Sequence, residues 1–273
     1  MLTNELVALA LLLGTPFFVV FGWLSDKIGR KPIILAGCLL AVLTYFPIFK
    51  ALTAAANPQL AAATASSPVV VVADPADCAF QFDPVGKQVF ASSCDLAKSA
   101  LANAGVSYAN QAAPAGAVAE VHIGSVVIPS FKGEALSAAE LKTQKAAWTK
   151  ALGEHLKMAG YPAKADSAKV NKPLVVGLLW LLVLYVTMVY GPVAAALVEM
   201  FPARIRYTSM SLPYHLGNGW FGGFLPATTF AMVAATGDIY YGLWYPIVIA
   251  AITFVIGMLF VRETRERDIE VEA

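Results

Sequence analysis

The residues with chemistry to offer lie at the ends of apolar runs rather than inside them. Asp26 and Arg30 belong to the heptapeptide Ser25-Asp26-Lys27-Ile28-Gly29-Arg30-Lys31, and Glu199, Arg204 and Arg206 to a second charged turn. Carboxylates and guanidinium groups partly removed from water at helix ends form ion pairs that can break in one packing and form in another. That chemistry is a latch, which holds helices and transforms no substrate. In the first turn Asp26 is an acceptor at the end of one helix, Gly29 permits the reversal, and Arg30 and Lys31 anchor it. Glu199 has a second reading, as a carboxylate that closes its own helix end against Arg206.

A second group sits within apolar runs, where polar side chains are expensive unless they face a cavity. Tyr185 and Tyr190 in one run, and His215 and Asn218 in another, are the candidates for lining a polar path. His215 is a candidate for proton coupling, since histidine is the residue type suited to it. It also lies about a turn from the end of its run, where an interfacial histidine with a satisfied hydrogen bond is the plainer reading. No Cys/His cluster has metal-ligand spacing, no glycine loop is built to cradle phosphate, and no nucleophile has a paired base. Neither an enzyme, nor a cofactor, nor a bound metal is expected.

The elements that must position these groups are membrane helices. Of the 273 residues 58% are apolar and 14% charged, and the mean hydropathy is +0.66, too high for a soluble domain of this size. The lipid bilayer is therefore the first partner. A net charge of +1 excludes a surface built to neutralise phosphates, so nucleic acid is not a partner. About twenty apolar residues cross the hydrocarbon core as a helix, and five segments are expected to do so: Leu6 to Leu24, Pro32 to Phe49, Leu174 to Leu197, Ser211 to Ala235 and Leu243 to Val261. The organisation expected is 1–50 as two spans joined by the turn 25–31, 51–172 as a module outside the bilayer, 173–261 as three spans, and 262–273 as a tail.

All six arginines, Arg30, Arg204, Arg206, Arg262, Arg265 and Arg267, fall in the two charged turns and the tail. The positive-inside rule puts those three segments in the cytoplasm and the 51–172 module outside, its lysines notwithstanding, since long loops translocate largely regardless of charge. The same alternation puts Met1 outside. Two readings follow: the back part of a longer protein whose earlier helices precede Met1, or a protein of five spans that begins outside.

The module is expected to be a small α+β insertion. Pro68 to Val72 and Val118 to Ile128 are β-branched runs suited to strands. Asp95 to Ala104 reads as a helix, and a longer one is expected from a capping box of Ser137 and Glu140 to Met158, stopped by Gly160. Cys78 and Cys94 lie where disulfides persist, and a bond between them is expected, whereas Cys38 inside the second run is a packing residue.

The turn, read from Gly22 through Asp26 to Gly29-Arg30-Lys31, resembles the G-x-x-x-D-[RK]-x-G-R-[RK] loop of the major facilitator superfamily. Tyr190-Gly191-Pro192, with Glu199-Met200-Phe201-Pro202-Ala203-Arg204-Ile205-Arg206-Tyr207-Thr208, is similar to the tenth helix and following loop of its metabolite:proton symporter family. Arg262-Glu263-Thr264-Arg265 is similar to the sequence that follows the twelfth helix. The resemblance implies an α-helical integral membrane protein of the bacterial inner membrane, with a partial major facilitator fold of five transmembrane helices equivalent to helices eight to twelve. It implies alternating-access symport of a small organic solute, an organic acid or osmolyte, with protons, the turn bracing neighbouring helices in the conformation open to the outside. Beside the resemblance, the charges at the helix ends make Asp26, Gly29, Arg30, Glu199, Arg204 and Arg206 the expected gating cluster at the cytoplasmic mouth. The acidic proton carrier of such symporters has no counterpart inside these spans, and the remaining helices or another transporter half would be the missing partner. On that mapping the module falls between helices nine and ten, where the resemblance implies only a short connection in most members of the family. Two further readings therefore stand beside transport: a membrane-anchored binding or assembly protein whose module is the working part, and an inactive truncated remnant.

Overall fold

A computed structural model describes residues 2–266; Arg267 and the rest of the tail to 273 lie outside the described residues. In chain order the elements are α1 (Leu2–Gly14), α2 (Pro16–Ile28), α3 (Arg30–Ala56), α4 (Pro58–Ser66), β1 (Val69–Ala73), α5 (Ser93–Asn103), β2 (Tyr108–Ala112), β3 (Glu120–Ile123), β4 (Val126–Pro129), α6 (Ala138–Met158), α7 (Lys172–Met200), α8 (Arg206–His215), a π-helical turn (Leu216–Gly222), α9 (Leu225–Thr236) and α10 (Trp244–Phe260). The described residues fall into two units, one of residues 2–55, 171–225 and 243–266, the other of 56–170 and 226–242.

The first unit is the membrane part. Leu2–Ile28, Arg30–Ala56, Lys172–Met200 and Tyr241–Phe260 are each long and apolar enough to cross a bilayer. The α-helical pattern of the first of these is interrupted at Thr15, where Pro16 opens α2 and the Thr15 hydroxyl donates to the Leu11 carbonyl at 2.8 Å. The run from Ser211 to Ala235, expected as one continuous span, is instead divided into α8, the π-turn and α9. Glycine is a poor helix former, and Gly217, Gly219, Gly222 and Gly223 crowd this stretch. Pro226 then supplies no N–H to bond the carbonyl four residues back, so a regular α-helix is not held through the stretch.

The packing of α1 and α2 on α7 depends on small residues. A Cβ on Gly191 would stand 3.1 Å from the Phe18 carbonyl oxygen and 3.3 Å from the Gly22 nitrogen, so α2 and α7 touch backbone to backbone there. One on Gly14 would run into Val183. Small residues let helices approach in this way where lipid gives no hydrophobic drive to associate. Further along α7, Tyr185 packs with Ala41 and Ile48 of α3, flanked by Tyr45, Leu178 and Leu182. Phe46 of α3 meets Trp244 of α10 edge to face at 5.2 Å.

The second unit is an α+β module with a four-stranded sheet in the order β2-β1-β3-β4. β1 and β2 are parallel, connected through α5, while β1–β3 and β3–β4 are antiparallel. The Val118–Ile128 run is not one strand but a hairpin: Gly124 takes φ +58°, which an L side chain rarely adopts, and turns β3 into β4. Val69, Val71, Val121 and Ile123 alternate onto one face, where Ala97 and Leu101 of α5 and Leu152 and Leu156 of α6 join them in the core. The α6 capping box forms as spelled, Ser137 and Glu140 exchanging hydrogen bonds. Cys78 and Cys94 are joined in a disulfide, and Cys38 is a buried free thiol. Helix α4 and strand β2 carry no strong sequence signature; alanine dominates the first, and only Tyr108 in the second is buried.

Candidate functional site

Arg30 is the first residue of α3, and its guanidinium is the centre of a network that joins three parts of the membrane unit. Nη1 donates to Ser25 Oγ at 2.8 Å and to the Asp26 carboxylate, both on the last turn of α2. Nη2 donates to Glu199 Oε1 at 3.0 Å and Nε to the same carboxylate at 3.3 Å, at the far end of α7. The planar fork of arginine suits this, since it directs parallel N–H groups at a carboxylate while its remaining donors face elsewhere. Arg30 and Glu199 are nearly shut off from solvent, with side chains 10% and 9% exposed, whereas Asp26 is 58% exposed. Removal from water strengthens their mutual attraction and makes an unpaired member costly.

The segment after α10 closes the network. Thr264 Oγ1 donates to Glu199 Oε2 at 2.6 Å. Glu263 accepts the backbone N–H groups of Arg30 (2.9 Å) and Lys31 (3.0 Å), and those of Thr264 and Arg265 at 3.0 and 3.1 Å. Burial raises the pKa of the Glu263 carboxyl, but the four backbone donors outweigh it and leave the pKa below its ordinary value. Lys31 Nζ donates to the carbonyls of Met258 and Val261, which would otherwise be orphaned at the end of α10, and Arg265 donates to the Lys27 carbonyl. Gly29 takes φ +106°, and a Cβ there would stand 2.5 Å from Glu263 Oε2. Glycine is thus required both by the turn and by the carboxylate seated over it.

Of the predicted cluster, Asp26, Gly29, Arg30 and Glu199 come together. Arg204 is exposed in the turn between α7 and α8, and Arg206 directs Nε to the Phe201 carbonyl at 3.1 Å, fixing that turn. Glu263, Thr264 and Ser25 were given no role from the sequence, and Lys31, expected to anchor the turn, also caps the end of α10. A signal existed: α3 begins Arg-Lys-Pro with no acidic residue in its first turn, so its free N–H groups needed an acceptor from elsewhere.

The four predicted cavity residues divide into pairs. Tyr185 is buried between α7 and α3, its hydroxyl accepting from Thr44 Oγ1 at 3.1 Å, and so serves helix packing. Tyr190, half exposed, donates to Asn218 Oδ1 at 3.1 Å, and Asn218 Nδ2 donates to the Tyr214 carbonyl at 3.1 Å. His215 is exposed, set edge to face against Tyr214 beside an open hollow lined by Tyr207, Thr208, Ser211 and Leu212. Among the described residues no group of three or more His, Cys, Asp or Glu side chains could hold a metal ion.

The family described as "Sugar (and other) transporter" matches residues 152–272 of the chain. The chain is 43% identical over 61 residues to a citrate-proton symporter of Klebsiella pneumoniae, covering 22% of this chain and 14% of that protein. It is 33% identical over 81 residues to a putative metabolite transport protein of Haemophilus influenzae, 29% of this chain and 17% of that one. No solved structure matches it. The proteins and the family that the chain resembles are transporters, a proton symporter among them. The matched segments span about one-sixth or less of the curated relatives' length.

Proposed function

We propose that this chain forms the part of a secondary active transporter equivalent to helices eight to twelve, moving a small organic solute with protons by alternating access. The observation that carries it is the Arg30 guanidinium shared between Asp26 at the end of α2 and Glu199 at the end of α7, with Thr264 on the same carboxylate. One buried cation linking three helix ends is a two-position device: intact, it holds the ends together, and parted, it leaves Arg30 and Glu199 needing water or new partners. The arginine distribution supports a cytoplasmic place for this cluster and an extracytoplasmic place for the 56–170 module in a bacterial inner membrane.

Tyr190 and Asn218, polar and exposed on helices of the membrane unit, are the proposed lining of the solute path, with His215 at its mouth. In the major facilitator fold such a path lies between two helical halves, so helices equivalent to the other half complete it. An organic acid is the leading solute class, because one relative is a citrate-proton symporter.

Uptake of labelled citrate and of a panel of other organic acids and zwitterionic osmolytes, under an imposed proton gradient, tests the reading. Proteoliposomes carrying the chain together with the helices that complete the path are expected to accumulate one solute, with accumulation lost to a protonophore and to Arg30→Ala. Correctly folded Arg30→Ala protein that transports as well as the parent would sink the latch, and saturable uptake by these 273 residues alone would sink the partial-fold reading.

A further inference from the structure

The last carbonyls of a helix have no partner within it, and where they are not left to water something must be built to receive them. At the end of α9 the 56–170 module supplies the partners, and 226–242 belongs to the same compact unit as the module. Tyr108 Oη donates to the Ala234 carbonyl at 2.6 Å. Asn110 Nδ2 donates to Ala235 O at 3.2 Å and to Thr236 O at 2.9 Å. The backbone N–H of Tyr108 donates to Gly237 O at 2.8 Å, extending the free edge of β2 by one strand-like bond. Lys98 Nζ, from α5, reaches Ala235 O at 3.5 Å and brings a positive charge to the negative end of the helix dipole.

The fit is specific as well as polar. Gly237 takes φ +84°, and any Cβ there would collide with the Tyr108 carbonyl oxygen. Ala231 and Ala234 are shut off from solvent, as is Tyr108. Ser107 Oγ accepts from the Ile239 N–H at 3.5 Å, so the chain is held past the helix end as well. Lys98 is only 9% exposed, on the same α5 whose first turn carries the Cys94 disulfide.

We propose that Lys98, Ser107, Tyr108 and Asn110 form a receptor for the C-terminal end of α9, making the module a clamp that fixes that end of the helix. The module and the end of α9 then move as one body, and bending of the α8–α9 segment falls to the glycines between 217 and 223. The clamp stands on its own hydrogen bonds; its use in gating rests on the transporter reading above.

Hydrogen exchange on the full chain in detergent or nanodiscs tests the clamp without any transport assay. The amides of Tyr108, Gly237 and Ile239 are expected to be as protected as the β1–β3 ladder. Asn110 is exposed, so Asn110→Ala should leave the module folded and speed exchange at 237–239 about tenfold, the loss of hydrogen bonds worth roughly 1.4 kcal/mol together. Lys98→Met should act in the same direction. Unchanged exchange at 237–239 in both variants overturns the proposal, as does an equal rise across the β1–β3 ladder, which would mean that the module opens as a whole. A wild-type chain whose 237–239 amides exchange as fast as those of the exposed 163–167 segment overturns it too.

Discussion

The guanidinium of Arg30 lies 3.0 Å from Glu199, 169 residues away along the chain, and both side chains are nearly shut off from solvent. Arg30→Ala leaves Glu199 buried without that cation, and we expect it to destabilise the membrane unit by about 3 kcal/mol, as for other broken buried pairs. Arg30→Lys should recover only part of this, because one ammonium cannot face Ser25, Asp26 and Glu199 at once. Thermal melting in detergent, with Glu199→Gln completing a double-mutant cycle, checks the pair; a coupling energy under about 0.5 kcal/mol would show that the contact is incidental.

Gly29→Ala places a methyl group against Glu263 at a backbone angle that an L residue rarely adopts. The expected cost is about 1–2 kcal/mol, felt first at the segment after α10. Limited tryptic cleavage after Arg262 and Arg265 should therefore quicken in the variant while cleavage at the lysines of α6 does not change. Equal rates at both places in variant and parent would refute this.

Glu263 binds its proton more weakly in the folded protein than in the unfolded chain, since four backbone N–H groups favour the carboxylate despite burial. Its contribution is therefore present above the ordinary carboxylate range, near 4.5, and is lost as pH falls through the lower folded value. Exchange at the Arg30, Lys31 and Thr264 amides, corrected for intrinsic rates, should show this acid transition in the parent and lack it in Glu263→Gln. A transition that persists in the variant would assign it to another group.

The Cys78–Cys94 bond closes a loop with a sequence separation of 16, and a cross-link of that span stabilises by about 3 kcal/mol. Reduction, or the Cys78→Ala/Cys94→Ala pair, should lower the melting temperature of the module while Cys38→Ala leaves it in place. A module equally stable in reductant would show that its core, not the bond, holds the loop to α5.

The two tyrosines of α7 should separate structure from path. Tyr185→Phe loses a buried hydrogen bond with Thr44 and is expected to cost about 1 kcal/mol. Tyr190→Phe, half exposed, should change stability by less than about 0.5 kcal/mol yet reduce solute uptake by the completed transporter. Uptake that follows the stability order instead would remove Tyr190 from the path.

Much of this arrangement was legible in the residues alone, because the signals are local. Apolar run length announced membrane helices, Ser137 with Glu140 announced the start of α6, and the Ser25 to Lys31 turn announced a charged reversal between helices. The break in the 211–235 run was written in its glycines and in Pro226, but hydropathy averages over such residues and masked it. The tertiary structure decided the partners. Nothing in the order of residues says that Glu199 takes Arg30 and Thr264, that Glu263 caps a helix that begins 233 residues earlier, or that Tyr108 and Asn110 receive the end of α9. Those pairings depend on which helix ends and strand edges meet in space, and on unsatisfied backbone groups that exist only once the helices have formed.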